Sequence, residues 1–395
     1  MAEPRLRLSL DVTAVPARPV GAGQYTLELA RTLSARSDVD LVVVARRADA
    51  TRWRTATPAA GVSAVSPAAR PLRLAWEQLR LPGVLRAEHV SVHHGPHYTM
   101  PERSSVPAVV TVHDLSFFVA PQWHQRSKVV LFRRAIRVAA RRAAAVVCPS
   151  AVTAGELGRW CQVDAEVFVA HHGVDPHRFR SEEPFVGADA AVVASVDSRL
   201  VGGRPFLLFV GTLEPRKDVA TLVGAFARVA GRHPDALLVL AGGSGWGADA
   251  VDRAVAGSGV GDRIIRTGYV ADGAVPALLR SATAAVYPAL YEGFGLPALE
   301  ALACGAPLVS TEGTAMEEVA GPAALLVPPG HADRLADALD AVLADPSGGD
   351  AEDRRRRGFD IVAAYTWEAS AEGHLAAYRY AAGRSGPAGG DDPAP

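Results

Sequence analysis

The chain has 395 residues, 49% hydrophobic and 21% charged, with a net charge of -1 and three cysteines. That length exceeds one ordinary core and suits two domains, and the composition is that of a globular chain, not a disordered one. No apolar run reaches the roughly 18–20 residues of a membrane-spanning helix. No leader-like apolar stretch follows Met1, and Cys148, Cys161 and Cys304 lack metal-ligand spacing, so a cytoplasmic protein with reduced thiols is expected.

In chain order, residues 6–12 and 41–45 read as buried strands flanking an amphipathic helix over 25–33. Strand-like runs follow at 90–95, 108–114, 144–150 and 167–173, with a long Arg-rich helical pattern over 128–142. The span 181–205 breaks the alternation and reads as a linker carrying at most a short local element. The pattern then restarts with a strand at 206–211 and a helix over 219–232, for which Asp218 is the candidate N-cap. Further strands are expected at 236–243, 263–268, 284–288 and 306–310, and helices at 332–344, 354–364 and 366–381. The Gly/Pro/Asp-rich tail 382–395 reads as disordered. Strands alternating with helices imply parallel sheets covered on both faces. The expected fold is therefore α/β, with two Rossmann-like doubly wound parallel-sheet domains facing a cleft, over 1–183 and 204–365.

Charge is unevenly spread. Residues 1–180 carry 24 basic against 14 acidic side chains, whereas the remainder carries 17 against 28. The basic half suits an anionic acceptor or a membrane surface; mutual attraction of the two domains explains it equally well. Of the 41 basic residues only Lys128 and Lys217 are lysine, and Lys217 lies inside one of the clearest motifs.

The strongest local signal is Tyr291-Glu-Gly-Phe-Gly-Leu-Pro-Ala-Leu-Glu300, a strand end followed by a glycine loop with Pro297 in the first helical turn. Such a turn presents backbone amides and a positive helix end to an anion. Glu292 and Glu300 flank it, which suits a ligand that also offers sugar hydroxyls; the plain alternative is a tight turn with two solvated carboxylates. The second signal is Gly211-Thr-Leu-Glu-Pro-Arg-Lys-Asp218, again leaving a strand end. Cations just before a helix N-terminus oppose the helix dipole, so Arg216 and Lys217 are better explained by a shared anion such as a diphosphate.

Weaker signals complete the set. Gly21-Ala-Gly23 permits close backbone approach to a ligand, but Thr26 breaks the dinucleotide fingerprint. His113 ends a strand and is a candidate ligand contact. His93, His94, His97, His171 and His172 have no zinc spacing and read as structural or acceptor-side groups. The Gly242–Gly247 run reads as a donor-lining or flexible turn. Asp38 and Asp40 lie at the wrong end of the sheet for a metal site.

Taken in order, GTLEPRKD, LVLAGGSGWG, YPALYEGFGLPALEALACGAP and EEVAGPAALLVPP resemble the retaining GT-B glycosyltransferases, the large family that includes bacterial GDP-mannose-dependent α-mannosyltransferases. Residues 21–30, 94–97 and 112–116 match its N-terminal domain, so the resemblance spans about 6–380. It implies that Glu292 contacts the donor sugar and Glu300 the ribose. It gives the diphosphate to Arg216 and Lys217 with backbone amides near Phe294, Gly295 and Leu296. Gly21, Ala22 and Gly23 would close over the donor phosphates, Gly211 would line the donor site, and His113 would lie beside the transferred sugar. It also implies that the helix 366–381 crosses back onto the first domain. Thr212 stands where some branches carry Arg, Asp218 where Asn or Gly is usual, and Glu317 where proline is usual.

The resemblance implies transfer of a hexose, mannose from GDP-mannose first, to a hydroxyl of a saccharide or glycoconjugate, with retention. UDP-glucose is the competing donor. A sugar-nucleotide epimerase and an inactive sugar-nucleotide-binding subunit are the alternatives from other classes. No metal, other cofactor or nucleic-acid partner is expected. The segment Arg126–Arg142 holds seven basic and no acidic residues, readable as a peripheral membrane contact or as a solvated helix face.

Overall fold

The computed structural model describes residues 5–181, 186–271, 273–346 and 348–384. The chain divides into two compact units. The first comprises the residues up to Phe118, Ser127–His171 and Trp367 onward; the second comprises Val119–Arg126 and His172–Thr366.

The first unit is built on seven parallel strands: β1 Leu6–Asp11, β2 Val39–Arg46, β3 Gly61–Ser66, β4 Val92–Gly95, β5 Ala108–Thr111, β6 Ala145–Cys148 and β7 Glu166–Val169. Their order is β3-β2-β1-β4-β5-β6-β7. The second unit has six: β8 Phe206–Val210, β9 Leu237–Ala241, β10 Ile264–Gly268, β11 Ala284–Tyr287, β12 Leu308–Thr311 and β13 Ala324–Val327, ordered β10-β9-β8-β11-β12-β13. All pairings are parallel. The direction of winding reverses between β1 and β4 in one sheet and between β8 and β11 in the other. Open α/β sheets bind ligands beside the carboxyl ends of the strands at such a reversal.

Runs such as Leu41–Ala45 and Leu207–Phe209 are buried on both faces, which is why these strands read as continuous apolar segments. In the second unit one core cluster extends from Val174 to Val342. In the first, the C-terminal helix Trp367–Gly383 buries Trp367, Ala371, Leu375 and Tyr378 with β1, β2 and the helix Ala22–Ser34.

Several sequence expectations are corrected. The span 181–205 holds more than the short local element expected in a linker: Val186–Val196 is helical, and Asp189 binds Arg280 bidentately at 2.6 and 2.8 Å. Its Ala/Val run has no polar face, so periodicity gave no sign of a helix. Residues 172–181 belong to the second unit, where Val174 and Phe179 enter the core and Val174 N–H binds the Tyr365 carbonyl at 3.0 Å. Strands β3 and β13 were not anticipated; β3 is an edge strand with only Ser66 buried. The helix after Asp218 ends at Val229, not 232. Of the tail read as disordered, residues 382–383 close the last helix, and 385–395 lie outside the described residues.

Candidate donor site and its counterpart

The two strongest motifs leave the carboxyl ends of β8 and β11, neighbours at the reversal of the second sheet. After β8 the chain makes a tight turn over Pro215–Lys217 before the helix Val219–Val229. Asp218 sits at the N-cap in the left-handed conformation, φ 49°. That backbone explains why Asn or Gly is the usual residue there, since few others tolerate it. After β11, Gly295 has φ 107° and caps the helix Leu296–Ala303, with Pro297 in its first turn. The Leu290 N–H donates to the Arg216 carbonyl at 2.8 Å, so the two loops are joined through their backbones.

Their side chains form one charged group. Arg216 Nη1 lies 2.6 Å from a Glu292 oxygen, and its Nε lies 3.2 Å from Glu214. Burial holds the Lys217 ammonium below the ordinary lysine range, against the pull of Glu292, with Arg216 adding repulsion. A Cβ at Gly211 would lie 2.5 Å from Lys217 Nζ, so glycine there is what lets the ammonium rest on the strand end. Glu300 stands in the following helix and contributes a further, weaker attraction to Lys217.

In the Gly242–Gly247 run, read as a donor-lining or flexible turn, two glycines pack on the neighbouring loop. A Cβ at Gly242 would lie 2.0 Å from the Gly211 carbonyl oxygen, and one at Gly245 2.8 Å from that of Leu213. Leu213 N–H bonds the Gly243 carbonyl at 3.0 Å. These glycines let one loop pack directly on the backbone of the other and hold the Arg216–Lys217 turn. Glu317, where proline was expected, closes a local cap: Thr314 Oγ1 accepts from Met316 N–H at 3.2 Å and Glu317 accepts from Gly313 N–H at 2.6 Å.

The remaining predicted residues lie in the first unit. Gly21 has φ 51° and precedes the helix Ala22–Ser34, while a Cβ at Gly23 would lie 3.3 Å from Pro19 and 3.4 Å from Pro16. Thr26, which broke the fingerprint, donates to the Ala22 carbonyl at 2.8 Å. His113 follows β5 and is buried. Its Nε2–H donates to the Pro96 carbonyl at 2.7 Å, and burial keeps the ring below the usual histidine range, hence neutral. Tyr25 stands edge-on to His113, centroids 5.1 Å apart, linking it to the Gly21–Gly23 helix start. His172 belongs to the second unit and packs on Phe294 at 4.7 Å. The discounted Asp38 and Asp40 are engaged by Arg36 and Arg379, and by Arg7. Among the described residues no group of three or more His, Cys, Asp or Glu is placed to hold a metal.

Two family models divide the chain. One described as "Glycosyltransferase Family 4" matches residues 19–178, and one described as "Glycosyl transferases group 1" matches 194–358. The chain belongs to the GT-B glycosyltransferases, the family that includes bacterial mannosyltransferases. It is 29% identical over 314 residues to the O-antigen chain mannosyltransferase B of Escherichia coli, covering 78% of this chain and 77% of that one. Sucrose-phosphate synthase from Thermosynechococcus elongatus superposes with a TM-score of 0.74 at 23% identity, over 95% of this chain and 98% of that one. Anabaena HepE in complex with UDP and glucose does so at 0.70 and 18%, over 94% and 98%. These likenesses establish the fold of this glycosyltransferase, two parallel-sheet α/β domains.

The residues that sequence reasoning missed are Tyr25, Tyr98, Thr111 and His374, which surround or support His113. Tyr25 lies inside a quoted motif, but its partner His374 is 349 positions away. No spacing rule connects them.

Proposed function

We propose that this glycosyltransferase moves mannose from GDP-mannose to a hydroxyl of a saccharide or glycoconjugate, with retention at the anomeric carbon. The reading rests on one observation: Arg216 and Lys217 are joined by backbone to the Glu292–Glu300 turn at the reversal point of the second sheet. Cations fixed beside a helix N-terminus stabilise charge developing on a diphosphate leaving group, each preorganised donor contributing about 2–4 kcal/mol. Arg216 is held by Glu292 at 2.6 Å, so an arriving diphosphate competes for the guanidinium and releases the carboxylate toward the sugar. Glu300 is assigned to the ribose. Backbone amides of Phe294, Gly295 and Leu296 assist at the phosphates, Gly211 carries Lys217, Gly21–Gly23 close over the donor, and His113 is assigned to the transferred sugar.

Mannose is favoured because the Escherichia coli relative is named a mannosyltransferase; UDP-glucose is the rival because HepE is described with UDP and glucose. A calorimetric screen of GDP-mannose and UDP-glucose separates them, with Glu292→Ala and Lys217→Ala as controls. If neither substitution weakened binding or turnover of any sugar nucleotide, the site assignment would fall. The anomer of the first-formed product, read by NMR, tests retention.

For the helix Arg126–Arg142, a solvated face is the favoured reading. Arg134 and Arg142 share Glu102, Arg133 and Arg137 lie over Phe118, and Arg141 binds Gln162. Co-flotation with anionic but not neutral liposomes would reverse that choice in favour of a peripheral membrane contact.

A further inference from the structure

Beneath His113 runs a chain of five hydrogen bonds through side chains that are all buried. Tyr378 meets His94 Nδ1 at 2.7 Å, and His94 Nε2 meets Thr111 Oγ1 at 2.8 Å. Thr111 Oγ1 meets the Tyr25 hydroxyl at 2.9 Å, and that hydroxyl meets His374 Nε2 at 2.7 Å. His374 Nδ1 ends the chain on the Ser370 carbonyl at 2.7 Å.

Its direction follows from one fixed end. A carbonyl oxygen only accepts, so His374 carries its proton on Nδ1 and its Nε2 must accept. Tyr25 therefore donates to His374, Thr111 donates to Tyr25, His94 donates from Nε2 to Thr111, and Tyr378 donates to His94 Nδ1. Both imidazoles are neutral, as burial also dictates, and every hydroxyl has one donor role and one orientation. The last helix is thereby fastened to β4, β5 and the helix Ala22–Ser34.

The chain reaches the wall of His113 through Tyr25, and Tyr98 closes the wall from outside the chain. Tyr25 meets the His113 ring at 5.1 Å and 82°, and Tyr98 meets it at 5.6 Å and 79°. The loop between holds Pro96 to its Nε2 through a turn too tight for a side chain: a Cβ at Gly95 would lie 2.1 Å from the Thr99 carbonyl oxygen. Tyr98 adopts φ 67° in that turn.

We infer that Thr111, Tyr25 and His374 are positioning residues for His113: their one-way hydrogen-bond chain, anchored in the C-terminal helix, sets the angle of the imidazole that the proposed function assigns to the transferred sugar. The inference rests on that assignment and adds the residues that make it work. A group displaced by about 1 Å from its working position forfeits up to about 100-fold in rate, whereas donor binding in the second unit is untouched.

The test uses the full-length protein with GDP release from GDP-mannose, or UDP release from UDP-glucose, as the readout. Thr111→Val, which keeps the shape and removes the hydroxyl, is expected to lower kcat about tenfold or more with donor KM within about twofold. Thr111→Ser, which restores the hydroxyl, returns kcat to near the parent value; a loss of packing alone would not be rescued in this way. Tyr25→Phe carries the same test should Thr111→Val fail to fold. Independently of activity, 15N imidazole spectra at pH 7 should place the proton of His374 on Nδ1 and that of His94 on Nε2. Parent-like kcat in Thr111→Val and Tyr25→Phe, alongside an inactive His113→Ala, overturns this inference alone. The opposite tautomers overturn it too. A fully active His113→Ala instead overturns the assignment beneath it.

Discussion

The two units handle polarity in opposite ways at the same place, the reversal point of a parallel sheet. In the first, the histidines are buried and neutral: His93 and His94 of β4 and His113 after β5, with His374 of the last helix, bond to Ser9, Thr111 and Tyr25 hydroxyls or, for His113, to the Pro96 carbonyl. In the second, the polar groups are ionised and partly exposed, with Arg216 and Glu292 in contact beside Lys217. Neutral networks fix geometry without long-range charge, whereas clustered ions attract an anion and tolerate rearrangement when it arrives. The contrast suits the proposed roles, in which the second unit would bind the diphosphate and the first would orient the group beside the sugar.

Acid should separate the units most. Burial holds His93 and His374 down at about 4, against an ordinary value of 6.5. Above pH 6.5 these rings are neutral folded or unfolded; below it only the unfolded chain takes up protons, until about pH 4 is reached. Stability should therefore fall across that window, by up to about 3 kcal/mol for each ring. Hydrogen exchange followed by mass spectrometry should show the helix Trp367–Gly383 and β4 losing protection before β8 and β11. Simultaneous loss in both units would erase the contrast.

Next in size is Lys217→Ala, expected to reduce donor turnover about 100- to 1,000-fold while leaving the melting temperature near that of the parent. A change confined to stability would mean that the ammonium is structural. Glu77→Gln tests the first unit from the other side. Burial, with Asp11 nearby, pushes this carboxyl up to about 8 from 4.5. Its contribution is intact below pH 4.5 and lost as pH rises to 8, so the amide should stabilise the protein at pH 8, by at most about 4 kcal/mol. Chemical denaturation of both proteins at pH 5 and 8 measures the difference, and an equal effect at the two values would refute the coupling. Smallest is Gly211→Ala, where the added methyl would press on Lys217 Nζ. About a tenfold loss of kcat is expected, with a normal fold by circular dichroism; an unchanged rate would show that the ammonium has room to shift.

The proposed donor half was legible because its chemistry is local. Residues 211–218 and 291–300 each follow a strand end and carry a glycine with its special backbone and the charged side chains within ten positions. The apolar strand runs were legible for the same reason, each being a short segment buried on both faces. What failed were elements whose signal is not local. The edge strand β3 lacks an apolar run, and the helix Val186–Val196 lacks a polar face.

The sequence by itself determined the α/β alternation, the family and the two charged, glycine-bearing turns, since backbone chemistry and nearest-neighbour charge act over a few residues. Tertiary structure alone decided that Gly242–Gly247 is a buttress, that Arg216 rests on Glu292, and that His94 and His374 close one chain around Thr111 and Tyr25. Those contacts join residues as far as 349 positions apart. Which histidine meets which hydroxyl depends on strand order and helix packing, and neither is written in any single stretch of the chain.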